Sequence, residues 1–286
     1  MKQKVALVLS GGGARGMAHI GVIEELEKRG YEISSIAGTS MGSVVGGAYA
    51  LGELDTFKDF LYTLDKRKVL NLVDFSFSKQ GLVKGDKMFG KMKGFIADTR
   101  IEELRIPFAA VAVDIINYKE VVFRSGSIYD ALRASVSIPT LFTPVKTESG
   151  LLVDGGVMNN IPIDIVERTA GDILVAVDVN ANIPVNKPAI TKKEEEVRQS
   201  TYRKRVSEFQ RHLLGNGPKN SEPTLGFFDL LNKTISLMTH HTAQLLMEKH
   251  APDILIEIAH DSCAMYDFYR AEEMVEIGRH AAQLKL

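Results

Sequence analysis

The hydrophobic positions of this chain fall into short continuous runs broken by glycine turns and into longer stretches with helical spacing. Residues 5–9 are apolar throughout and stop at Ser10-Gly11-Gly12-Gly13. A run of that length with no polar alternation is a strand buried on both faces, the pattern of a parallel sheet covered by helices. Residues 107–114 and 173–179 repeat it, and residues 33–37, 120–123, 150–154 and 254–258 are shorter runs of strand type. Between them Met17, Ile20, Ile23 and Leu26 recur at helical spacing, with Glu24 and Lys28 as an exposed i,i+4 pair and Gly30 as the stop. Residues 43–51 are apolar enough for a buried helix. Helices are also expected over 54–65, from Asp86 (as N-cap) through 93, over 127–137 up to Pro139, over 227–249 and over 270–284. Residues 66–81 read as irregular, and 80–86 as a loop feeding the next helix. Strands alternating with helices predict an α/β fold: a three-layer α/β/α sandwich around a central, mostly parallel sheet of at least five strands.

The 286 residues fit a single domain of this class, and one segment departs from it. From about 181 to 224 the pattern dissolves; within 187–211 there are eight Lys/Arg against four Asp/Glu, and Gly215-Asn216-Gly217-Pro218 is strongly helix-breaking. This segment is expected to be a charged insertion: a solvated helix, a mobile cover, or a patch for anionic head groups. A net charge of −1 argues against capture of nucleic acid by the molecule as a whole. The single cysteine, Cys263, excludes an internal disulfide and suits a reducing compartment. No apolar run reaches the roughly 18 residues of a membrane span, and the one at the N-terminus is short for a signal peptide. The expected location is cytoplasmic, with room for peripheral contact with a membrane.

Chemistry enters at Gly38-Thr39-Ser40-Met41-Gly42, a G-x-S-x-G between a strand-type run and a helix-type run. Strand, tight turn, helix is the setting in which such a serine becomes a nucleophile. The glycines leave room for the strained turn, and the helix N-terminus favours developing negative charge. The earlier loop, Gly11-x-Gly13-x-x-Gly16, allows three readings. A dinucleotide fingerprint requires a carboxylate about 20 residues on, where the Ser40 turn stands instead. A phosphate-binding P-loop requires Gly-Lys-Ser/Thr, which is absent. The third reading is a set of backbone N–H groups at a helix N-terminus beside Ser40, an oxyanion hole. Arg15 either adds positive charge to that pocket or locks the loop. His19 is expected in packing or a local hydrogen bond, and Asp114 in a turn-capping role. Asp154-Gly155-Gly156 ends a strand with a carboxylate that pliable backbone can aim at a neighbouring hydroxyl.

Together, Gly11-Gly12-Gly13-Ala14-Arg15-Gly16, Gly38-Thr39-Ser40-Met41-Gly42 and Asp154-Gly155-Gly156 resemble, in order and spacing, the motifs of the patatin-like phospholipases, closest to their bacterial and neuropathy-target-esterase-type branch. Residues 134–139 with Phe142, Pro144 and Val145 are also similar to that family's segment before the aspartate. The resemblance is firm over about 4–180 and loose over the last 60 residues. It implies a Ser40–Asp154 dyad without a catalytic histidine, an oxyanion hole from Gly11, Gly12 and Gly13 helped by Arg15, and supporting roles for Gly16, Gly38, Gly42, Gly155 and Gly156. It also implies hydrolysis of acyl-lipid or small ester substrates through an acyl-enzyme, without metal or other cofactor, and allows transient membrane-surface contact. Residues 138–145 are compatible with an acyl pocket. Three alternatives stay open: a triad completed by His240, His241 or His260; a non-catalytic regulatory or lipid-binding module on the same scaffold; and a dinucleotide-dependent enzyme.

Overall fold

A computed structural model describes residues 2–72, 75–78, 81–83, 86–94, 98–139, 141–186 and 227–286. The continuous apolar runs become β1 (Lys4–Leu9), β2 (Glu32–Thr39), β5 (Phe108–Asp114) and β9 (Ile173–Ala181). Shorter strands are β6 (Lys119–Phe123), β7 (Val145–Lys146), β8 (Leu151–Asp154) and β10 (Ile254–Ala259). These eight strands form one sheet in the order β10-β9-β1-β2-β5-β8-β7, with β6 also on β5. Pairings from β10 to β5 are parallel; β6, β7 and β8 join antiparallel. The sheet is therefore mixed and mostly parallel, as the unbroken runs predict.

The side-chain alternation of β1 divides the core in two. Val5, Leu7 and Leu9 face α1 (Ala18–Lys28), α2 (Met41–Leu51), α3 (Leu54–Tyr62) and the closing helix α8 (Ala271–Lys285). Ala6 and Val8 face Ile161, Ile163 and Ala243 of α7 (Phe227–His250). Each large aliphatic side chain buried in this way contributes about 1.5–3 kcal/mol, and both sheet faces need helical cover for that.

Parts of the stretch expected to be irregular, 66–72, 75–78 and residue 81, form regular elements. Asp65 accepts from Lys68 N at 2.8 Å and caps α4 (Lys66–Leu72). β3 (Phe75–Ser78) and β4 (Gly81–Val83) pair antiparallel in a separate two-stranded sheet. α5 (Asp86–Met92) and α6 (Ile128–Ser135) follow, the latter capped by Ser127 Oγ accepting from Asp130 N at 3.2 Å. The chain divides into two compact units, Met1–Asn186 with Met238–Leu286, and Lys187–Leu237. Of the second, residues 227–237 are described and form the first turns of α7; the expected charged insertion lies largely outside the described residues.

One feature of β5 places the site. β2 pairs with residues 108–111 of β5, β8 with 112–114, and β6 with 110–114. β6 overlaps both of the others, so it must occupy the opposite edge. β2 and β8 therefore share one edge and run toward each other along it: Thr39 faces Val111, and Asp154 faces the next residue, Ala112.

Candidate active site

Ser40 is the one residue between β2 and α2, and its backbone sits at φ 52, ψ −126. A non-glycine residue there costs about 1–3 kcal/mol, so the surroundings must hold it. Ser40 N donates to Ser135 Oγ at 2.9 Å, and Ser135 Oγ donates to Val111 O at 2.7 Å. Ser40 O accepts from Ser43 Oγ at 2.6 Å and from Ser43 N and Val44 N at 3.0 and 3.2 Å. Thr39 Oγ1 donates to Asn159 O at 2.8 Å. The motif glycines are close-approach positions: a Cβ on Gly38 would lie 2.6 Å from Gly42, and one on Gly42 would overlap Leu9 O. The serine side chain is thus held at the C-terminal end of β2, 5% exposed, over the N-terminus of a helix.

Asp154 arrives from the other direction as the last residue of β8, before the 3-10 turn Gly155–Val157. Its Oδ1 accepts from Gly156 N at 2.8 Å. Its Oδ2 is buried and lacks a regular hydrogen-bond partner among the described residues. Burial raises the carboxyl pKa to about 6, against the opposing pull of the Ser40 hydroxyl and Gly156 N–H. The Ser40 hydroxyl thus neighbours this buried carboxyl, whose basicity is raised by desolvation. Such a carboxylate can take a hydroxyl proton near neutral pH. A Cβ on Gly155 would overlap Val111 O, and one on Gly156 would meet Asn160 Oδ1 at 2.9 Å.

The glycine loop lies beside Ser40: a Cβ on Gly11 would stand 3.0 Å from Ser40 Cβ. Gly11 N–H, expected in the oxyanion hole, instead donates to Asn160 O at 3.0 Å, because the loop is sutured to the segment after Asp154. Gly12 and Gly13 N–H donate to no acceptor among the described residues. Gly13 adopts φ +58 as the 3-10 turn Gly13–Met17 opens, and Gly16 packs against Met41. Arg15 acts as the lock rather than the pocket charge: Nε donates to Val179 O at 3.1 Å and a terminal nitrogen to Asn180 Oδ1 at 2.8 Å.

The other titratable candidates lie apart. His19 is buried, its Nε2 2.8 Å from Ser10 O, and desolvation lowers its pKa to about 4. Asp114 accepts from Ile116 N, Asn117 and Leu151 N, a turn-holding role. His260 follows β10, three strand spacings or about 14 Å from β2. His240 lies near Asp178 of β9, and among the described residues no histidine is hydrogen-bonded to Ser40 or Asp154. Burial pushes the Cys263 thiol up to about 11, which keeps it protonated. Sequence reasoning missed Ser135, Asn160 and Asn180, which hold the site by hydrogen bonds. The signals available were a serine inside the 134–139 segment, an asparagine pair five residues after Asp154, and an asparagine ending a buried strand.

Residues 7–166 match the family model for patatin-like phospholipase. An uncharacterized NTE family protein of Mycobacterium tuberculosis is 32% identical, across 98% of this chain and 90% of that one. Lysophospholipase NTE1 of Cryptococcus neoformans is 34% identical over 63% of this chain and 11% of its own. VipD of Legionella pneumophila superposes with a TM-score of 0.47 at 14% identity, over 99% of this chain and 66% of that one.

Proposed function

The chain belongs to the patatin-like phospholipase family, which supports lipid acyl hydrolysis as its general activity, and from this premise we propose a serine hydrolase that works by a Ser40–Asp154 dyad through an acyl-enzyme. The observation that carries the reading is the unfilled, buried Oδ2 of Asp154 beside the strained Ser40. Asp154 takes the Ser40 proton as Oγ bonds to the ester carbonyl carbon, and the carbonyl π pair moves onto oxygen. Gly12 and Gly13 N–H receive that oxyanion. Its collapse breaks the bond to the alcohol oxygen, which leaves with the proton from Asp154. Water then attacks the acyl-serine, gives its proton to Asp154, and the second collapse returns that proton to Ser40 and releases the carboxylic acid. The substrates are phospholipids, lysophospholipids or other acyl esters, and lipid-borne ones are reached by transient contact with a membrane surface.

Turnover of a short-chain p-nitrophenyl ester and of a lysophospholipid tests this, for wild type, Ser40→Ala and Asp154→Asn. Wild type is expected to turn over at least one substrate and both folded variants to fall by at least about 1000-fold, since members of one catalytic unit are each indispensable. Full activity in Ser40→Ala would sink the proposal.

A further inference from the structure

Asn180 stands near the C-terminal end of β9, two strands from Ser40, and belongs to no part of the dyad. Its backbone N–H donates to Asp178 Oδ1 at 2.9 Å, which fixes the residue at the strand end. Its side chain is bonded at both ends. Nδ2 donates to Gly11 O at 2.6 Å, and Oδ1 accepts from Arg15 at 2.8 Å. A carbonyl can only accept and a guanidinium can only donate, so the two partners fix which end of the amide carries nitrogen. Asp, Leu or Ala lacks one or both of these functions, and Gln places them a methylene further out.

The bond to Gly11 O has a consequence for the next residue. The Gly11–Gly12 peptide is planar and trans, so Gly11 C=O and Gly12 N–H point in opposite directions. The strand order is β9-β1-β2, and the glycine loop follows β1. Asn180 holds Gly11 O toward the β9 side; Gly12 N–H is therefore directed toward the β2 side, where Ser40 ends the strand. The amide of Asn160 also approaches Gly11 O, at the longer distance of 3.4 Å. Glycines at 11, 12 and 13 give this peptide little steric resistance to turning over, so its orientation must come from its hydrogen bonds.

We infer that Asn180 is the positioning residue of the oxyanion hole, holding the Gly11–Gly12 peptide so that Gly12 N–H faces the reacting carbonyl. The inference rests on the acyl-hydrolase reading above. Asn180→Asp retains the partner of Arg15 but sets a carboxylate oxygen against Gly11 O, and two acceptors in contact drive the peptide to turn over. Asn180→Ala leaves the weaker Asn160 contact and space for water.

The test is steady-state hydrolysis of a p-nitrophenyl ester beside the inhibition constant of a trifluoromethyl ketone bearing the same acyl chain. That inhibitor forms a hemiketal with Ser40, in which a bond from Oγ to the carbonyl carbon leaves an oxyanion in the hole and a proton on Asp154. Loss of one oxyanion donor typically lowers turnover about 100- to 1000-fold. Asn180→Asp should therefore lose about 100-fold in kcat and a similar factor in ketone affinity, with KM within about threefold and the melting temperature kept. Asn180→Ala should lose about tenfold in both, and it carries the test if the aspartate variant does not fold. Wild-type kcat and ketone affinity in these variants would overturn the inference, as would a rise in KM with ketone affinity unchanged. Wild type inert toward both ester and ketone would instead overturn the hydrolase reading itself.

Discussion

Asp154, the base of the proposed reaction, also carries a stability cost. Its carboxyl has a pKa of about 6 when folded, against an ordinary value of 3.8, because burial penalises the charged form more than Ser40 and Gly156 relieve it. Between those two values the folded state holds a proton that the unfolded state has released. Stability therefore falls as pH rises through this window, and the penalty is complete above it. Asp154→Asn removes the penalty. It should be more stable than wild type by about 1–3 kcal/mol at pH 8 and indistinguishable at pH 3.5, as read from denaturant midpoints. The same shift governs activity: kcat/KM should rise with pH along an acid limb centred near 6, where Asp154 loses its proton. An acid limb near 4 would mean that the carboxyl is solvated in solution and is not tuned by its pocket.

At the scale of elements, Ser40 and Asp154 come together because two strands meet end to end. Ser40 and Asp154 are 114 positions apart, yet Thr39 and Asp154 face consecutive residues of β5. Helix packing then fixes the loop opposite. α8 lies so close to α1 that a Cβ on Gly278 would overlap Ala18 O, and one on Gly21 would overlap Val275 O. Gly278→Ala should cost about 2–3 kcal/mol, since inserted volume must push two helices apart. Because α1 continues directly from the glycine loop, the variant should lose activity as well; thermal melts beside ester turnover would show both. Much of this layer was legible in the sequence. Unbroken apolar runs mark β1, β5 and β9, and the G-x-S-x-G turn marks where β2 gives way to α2. What was not legible has a physical reason in each case. β7 is two residues long and carries no period. α4 begins on a cap supplied by Asp65 rather than on an apolar pattern, and Gly11 N–H is withdrawn from the pocket by Asn160, far off in the chain. Hydrogen bonds between distant segments leave no periodic trace, so the turn carrying Ser40 and the strand ending at Asp154 were legible and the residues that hold them were not.

For the whole molecule, the question is how a lipid-borne substrate would reach a site whose serine and aspartate are each 5% exposed. The turn joining β5 to β6 offers an answer. Ile115, Ile116 and Tyr118 are 40, 58 and 88% exposed there, and Lys119 follows them. This turn lies four residues past Ala112, the partner of Asp154, so it projects about 13 Å beyond the dyad on the same side of the sheet. Asn117 ties it to the neighbouring turn through Ser149 O at 3.0 Å, where Lys146 and Glu148 are both exposed. Lys146 and Glu148 oppose each other in charge, so contact of this turn with a lipid layer would rest chiefly on its apolar side chains. No described helix is long and apolar enough to cross a bilayer, so anchoring through this tip would be shallow and reversible. Replacing Ile116 and Tyr118 together by serine should lower turnover of a long-chain phospholipid in vesicles about tenfold and reduce co-sedimentation with them. Hydrolysis of a short-chain ester free in solution should be unchanged, because the tip touches no part of the dyad. Equal losses on both substrates would mean that the turn supports the fold of β5, and unchanged rates on both would mean that lipid reaches Ser40 from another side.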